Sequence, residues 1–191
     1  MLNVIISGAP GSGKGTQSTL IIETYKLKHF STGDLLRSEI EAKTALGAEA
    51  ATYISQGNLV PDEMIINIIT GAINSLPADC NGVIFDGFPR TVEQAAALEN
   101  LMNGMNKPIT VSVDLQVPQE ELISRLVTRG ETSGRSDDNL ETITKRLQVY
   151  ESKTAPVNDF YQNLGKYSPV NGLGSIDDIF GRIKTILDSC L

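Results

Sequence analysis

The stretch "LNVIISGAPGSGKGTQ" (residues 2–17) decides how the rest of the chain is read. Residues 2–7 form a short, β-branched apolar run that closes on glycine, the pattern of a buried strand. Four glycines and Lys14 come next, and "KGTQSTLIIETYKL" (14–27) then has the character of a helix. Glycines alone would suit either a flexible turn or a cradle for phosphate. The order strand, loop, Lys, helix favours the cradle. Gly8, Gly13 and Lys14 match G-x-x-x-x-G-K. Glycines let successive backbone N–H groups turn toward one anion, the helix presents its positive end to it, and the lysine adds a mobile charge. The usual pattern has Ser or Thr directly after the lysine. Here that place is held by Gly15, with Thr16 one position later.

Further strands are expected at "GVIFDGF" (82–88), "PITVSVDL" (108–115) and "YSPVNG" (167–172), with a short apolar step in "HFS" (29–31). Helices are expected over "LGAEAATYISQG" (46–57), closed by Gly57, and over "VPDEMIINIITGAI" (60–73), opened by Pro61 and two acids. "STGD" leads into another, and "PQEELISRLVTRG" (118–130) is amphipathic. Residues 137–165 read as one long helical stretch bent near Pro156, and 175–190 as a closing helix. Strands alternating with helices imply a parallel sheet covered on both faces. No linker or repeat divides the chain, so one domain, 1–191, is expected.

The 191 residues carry a net charge of −7, with 40% hydrophobic and 20% charged residues. This is a globular composition, and it disfavours nucleic-acid or anionic-membrane partners. No apolar run nears the ~20 residues of a membrane helix, and no basic segment precedes the first strand as in a signal peptide. Cys80 and Cys190 have no CxxC partners, so neither zinc nor a disulfide framework is expected, and reducing cytosol is the expected compartment. Four of the seven arginines, Arg125, Arg129, Arg135 and Arg146, fall within 22 residues, as if gathering a small, highly charged anion.

Residues 8–17 also resemble the phosphate loop of the nucleoside monophosphate kinases, adenylate kinases above all. Four further stretches follow in that family's order: "STGDLLR" (31–37), "QGNLVPDE" (56–63), "DGFPRTVEQ" (86–94) and "RGETSGRSDDN" (129–139), then Arg146 in "ITKRL". The short segment between Arg129 and Arg135 resembles the short-lid form. The resemblance implies an α/β fold of P-loop NTPase type with about five strands, a helical AMP-binding flap (31–60) and a short lid (129–139). It implies the reaction ATP + AMP ⇌ 2 ADP with Mg²⁺, in a cytoplasmic monomer. ATP phosphates would lie in Gly11, Ser12, Gly13, Lys14, Gly15 and Thr16, with Arg129, and Gly174 near the adenine. Thr32, Arg37, Asn58, Leu59, Val60, Gly87, Phe88, Pro89, Arg90 and Gln94 would hold AMP, with Arg135 and Arg146. Lys14, Arg90, Arg129, Arg135 and Arg146 would act on the transferred phosphoryl group. Asn58 stands where the family often has Lys.

Elementary chemistry agrees. Transfer between two nucleotides gathers several phosphates, and arginine binds phosphate bidentately while staying charged. Arg37, Arg90, Arg129, Arg135 and Arg146 suit that task, whereas Arg125 and Arg182 read as solvated surface residues. Asp86, at the carboxyl end of a strand, is a candidate to orient waters around Mg²⁺, or else a turn aspartate. A Gln94 amide can match a donor and an acceptor on adenine. Related UMP/CMP kinases tend to have Ala where this chain has Thr32, and Asn where it has Thr91, which favours AMP. His29 reads as structural, and phosphoryl transfer needs no strong base. UMP/CMP kinase and a non-catalytic nucleotide sensor remain as alternatives.

Overall fold

The computed structural model describes the chain except residues 78, 134–136 and 138. Five parallel strands form one sheet: β1 (Leu2–Gly8), β2 (Lys28–Ser31), β3 (Gly82–Asp86), β4 (Val111–Gln116) and β5 (Tyr167–Asn171). Their order is β2-β3-β1-β4-β5. The all-parallel pairing follows from the helices that join the strands. β1 sits at the centre, with Ile6 beside Asp86 of β3 and Ser7 beside Asp114 of β4. Its two neighbours are reached on opposite sides, so the chain opens a crevice at the carboxyl end of β1, where α/β sheets take ligands.

Strand side chains alternate between two cores. Ile5, Val83 and Phe85 pack under α4 (Asp62–Asn74), α5 (Val92–Gly104) and α8 (Pro156–Asn163). Val4, Ile6 and Ile84 meet Ile21 of α1 (Lys14–Tyr25) and Ile183 of α9 (Ile176–Asp188). Each such Ile or Phe contributes ~1.5–3 kcal/mol by burial. Together they make the sheet a rigid base for the loops at its carboxyl edge. A third cluster joins α6 (Gln119–Ser133) to α7 (Leu140–Val149) through Leu122, Leu126, Ile143 and Leu147. α2 (Thr32–Glu41) and α3 (Ala45–Ile54) stack on each other beside this edge: Gly47 lets α3 approach the end of α2 so closely that a Cβ would lie 2.1 Å from Glu39 O.

Three elements depart from the sequence expectation. β3 ends at Asp86, not 88, because Gly87 turns the chain with φ 73°. The stretch 137–165 is helical from Leu140 to Asn163, but not as one uniform helix. A single π-turn, Tyr150–Thr154, separates α7 from α8, and Pro156 opens α8 at its first turn, where its missing N–H costs nothing. α5 has only a weak apolar periodicity and is marked locally by its N-cap, Thr91, whose hydroxyl accepts from Gln94 N. Among the described residues no helix is long and apolar enough to cross a membrane.

Candidate active site

The loop after β1 has left-handed backbone at Gly8, Gly11 and Gly13, with φ 136°, 85° and 96°. At Gly8 a Cβ would lie 2.7 Å from Ser12 Oγ and 2.8 Å from Leu115 O, so no side chain fits. Gly13 opens α1 without a side-chain cap, which leaves the first helical N–H groups as donors for an anion. Lys14 Nζ folds over the loop and donates to Gly8 O (2.7 Å) and Ala9 O (3.0 Å). Burial pulls its pKa down to about 8, and Arg90 and Arg146 add to this, while Asp86 and Asp114 oppose it. An arriving phosphate would supply the missing counter-charge.

A cavity of about 520 Å³ opens along the carboxyl edge of the sheet. Its wall includes Gly11, Gly13, Lys14, Gly15 and Thr16 from the loop, together with Asp86, Arg125, Arg129 and Arg146. Thr32, Arg37, Asn58, Leu59, Val60, Gly87, Pro89, Arg90 and Gln94 line it too. The residues that the sequence assigned to two different nucleotides therefore share one cleft. Three assigned residues do not line it. Ser12 is buried beneath the loop, Phe88 packs in the core 6.4 Å from Phe85, and Gly174 lies between β5 and α9 near Arg182. Arg135 lies outside the described residues.

The cleft is strongly cationic, and its charges are held in place. Arg90 donates from Nε to Gly87 O at 2.7 Å, and its backbone N–H donates to Gln94 Oε1 at 2.7 Å. Burial, then the neighbouring Arg146, lower its pKa to about 10, which still leaves it charged at neutral pH. Arg37 pairs with Asp34 one helical turn back. Arg146 Nη1 lies 2.9 Å from Asp137 Oδ2. Thr32 Oγ1 donates to Gly87 O at 2.7 Å, tying the start of α2 to the turn after β3.

Arg125 corrects the sequence reading. It is no solvated surface residue: it pairs with Glu121 (2.7 Å), donates to Gly172 O (3.2 Å) and reaches Ser12 O (3.5 Å), bridging the phosphate loop and the end of β5. Its i,i+4 spacing to Arg129 on α6 is the signal that puts both on one helical face. Arg182 is exposed and donates to Asn171 O and Leu173 O.

Asp86 lies at the cleft floor. Burial pushes its carboxyl up, but His29, the Lys14 charge and the Ser18 hydroxyl outweigh this and hold it below the usual range. Ser18 Oγ donates to Oδ2 at 3.1 Å, and His29 Nε2 lies 3.7 Å from the same oxygen. His29 is thus an exposed neighbour of Asp86. Among the described residues no group of three or more His, Cys, Asp or Glu could hold a metal ion. A single ionised carboxylate facing a phosphate cleft fits a hydrated Mg²⁺ whose other ligands are water and phosphate.

The adenylate kinase family model matches residues 6–166. The adenylate kinase of Parabacteroides distasonis is 54% identical over 189 residues, 99% of each chain. That of Phocaeicola vulgatus is 54% identical over 188 residues, covering 98% of this chain and 99% of its own. That of Porphyromonas gingivalis is 52% identical over 188 residues, covering 98% and 96%. The fold and the loop after β1 define a P-loop α/β protein, and this chain belongs to the adenylate kinase family.

Proposed function

We propose that the chain transfers the γ-phosphoryl group of MgATP to AMP, giving two ADP, reversibly. One observation carries this reading: the phosphate loop with Lys14 and the Arg37–Arg90–Gln94 corner line the same cavity. In the transfer the bond from the β-phosphate bridging oxygen to Pγ breaks, and a bond from an AMP phosphate oxygen to Pγ forms. No oxidant, hydride or covalent enzyme intermediate is needed. The protein's work is to hold the two nucleotides in line and to meet the charge that spreads over the moving group.

The loop 11–16 and the start of α1 hold the ATP phosphates, with Lys14 and Arg129 on the outer ones and Arg125 beside them. Gly174 and the turn after β5 lie on the adenine side. Arg37 and Arg90 hold the AMP phosphate. Thr32, residues 58–60 and 87–89 and Gln94 enclose its nucleoside, Phe88 through the backbone. Arg146, and Arg135 from the lid, meet the transferred group. Asp86 would hold Mg²⁺ through water, and the ion would neutralise the β- and γ-phosphate oxygens. Segments 31–60 and 129–139 act as flap and lid that exclude water, the competing acceptor. UMP and CMP are less suitable acceptors, because the Gln94 amide offers adenine a donor beside an acceptor. The enzyme works as a monomer in the cytoplasm, without zinc, nucleic acid or membrane.

Mixing MgATP with AMP and following nucleotides by ³¹P NMR tests the proposal. Two ADP should appear for each AMP consumed. ADP that forms equally without AMP would make the chain an ATPase, and no turnover would make it a sensor.

A further inference from the structure

A carboxylate outside the cleft wall holds the side-chain amide of Gln94, which lines the cleft. Asp62, the first residue of α4, accepts from Gln94 Nε2 at 2.7 Å through Oδ1 and from Thr91 Oγ1 at 2.8 Å through Oδ2. Gln94 Oε1 in turn accepts from Arg90 N at 2.7 Å. An ionised carboxylate can only accept, and a backbone N–H can only donate. The Gln94 amide therefore has one permitted orientation, with its NH₂ toward Asp62 and its oxygen toward Arg90. Gln94 is buried, so water offers no substitute partners. Half of its hydrogen-bonding capacity is spent on this clamp. One N–H and one oxygen lone pair remain for a ligand in the cavity that it lines.

We propose that Asp62 is a positioning residue that sets base specificity by fixing the donor-acceptor sense of Gln94. The inference rests on the reading of this cleft as an acceptor-nucleotide site. Adenine places an amino donor beside a ring acceptor. Hypoxanthine, of the same size and shape, places a carbonyl acceptor beside a ring N–H donor. A clamped Gln94 pairs with the first sense only, whereas an unclamped one can flip and pair with the second. Asp62 also ties α4, which follows directly on the flap segment, to the cap of α5. Base selection is thereby coupled to the seating of the flap.

The experiment measures kcat and KM for AMP and for inosine monophosphate in the parent and in Asp62→Asn. The asparagine is nearly isosteric but can offer Gln94 an NH₂ in place of an oxygen, so that Arg90 N–H alone is left to fix the sense of the amide. The parent should prefer AMP by at least ~100-fold in kcat/KM, the scale of a site whose buried polar groups stay unpaired with the wrong base. In Asp62→Asn the preference should fall by at least ~10-fold, through a raised KM for AMP and a lowered KM for inosine monophosphate, with the KM for ATP unchanged. If Asp62→Asn fails to fold, Asp62→Ala, which leaves Arg90 N–H as the one remaining clamp on the amide, is measured the same way. A loss of activity equal for both acceptors would make Asp62 a strut between α4 and α5 and overturn the inference. Failure of the parent to phosphorylate AMP would overturn the functional reading itself, which keeps the two outcomes apart.

Discussion

Arg146 and Asp137 form an ion pair at the mouth of the cleft, 2.9 Å from Nη1 to Oδ2, with side chains only 19% and 10% exposed. Arg146 Nη1 also donates to Asp137 O at 3.1 Å. Asp137 lies between α6 and α7 and Arg146 on α7, so the pair ties this connection to a helix that lines the cleft. It also offsets part of the repulsion that Arg146 exerts on Arg90 and Lys14, both of whose proton affinities it lowers.

Asp137→Asn should therefore lower stability by ~1–3 kcal/mol, below the cost of a fully buried broken pair because both groups keep some solvent contact. The loss should shrink when ATP is added, because phosphate replaces the missing carboxylate and binding adds to stability by mass action. Urea denaturation of parent and variant, with and without nucleotide, measures both effects. Equal loss at saturating ATP would mean that Asp137 does not balance the cleft.

Lys14 predicts a trade between stability and activity. Its pKa falls to about 8 in the folded protein from an ordinary 10.5. Below about pH 8 it is charged in both states, and the fold bears the cost of desolvating it. Between about 8 and 10.5 the folded protein has released this proton while the unfolded chain still holds it, so stability rises with pH. Lys14→Met should thus be more stable than the parent at pH 7, by ~1–2 kcal/mol after allowance for solvent in the open cleft. That advantage should vanish toward pH 10.5, and phosphoryl transfer should be lost at every pH. Denaturation curves at pH 7 and 10 with parallel assays check the sign.

Gly87 has φ 73°, and a Cβ there would lie 2.7 Å from Arg90 Nη2. Gly87→Ala should cost ~1–2 kcal/mol of stability from the left-handed backbone. By displacing the Arg90 fork it should also lower kcat/KM for AMP by at least ~10-fold, with a smaller effect on KM for ATP. Thermal unfolding and steady-state kinetics read the two effects separately.

The local motifs made most of the cleft legible. Gly8, Gly13 and Lys14 can be read because a phosphate loop closes within seven residues and needs few long-range contacts. Arg125, Arg129 and Arg146 can be read as a set because charge clustered in sequence stayed clustered in space. What required the fold was direction. Phe88 stands inside a binding motif, yet its side chain turns into the core, and Ser12 turns beneath its own loop. Arg125 points at the loop because α6 lies across it, which the i,i+4 spacing to Arg129 hints at without fixing. Asp62 and Gln94 lie 32 residues apart, and nothing local announces their bond. The π-turn before Pro156 needs an Ala155 N to Tyr150 O bond that periodicity does not reveal.

Transfer to AMP is tested most directly by initial rates of ADP formation from MgATP with AMP, UMP, CMP and GMP in turn. AMP should exceed each of the others by at least ~100-fold in kcat/KM, the discrimination expected of a site built on base hydrogen bonds. Comparable rates with UMP or CMP would contradict the assignment of Thr32 and Gln94 to an adenine site, and no ADP with any acceptor would contradict the kinase.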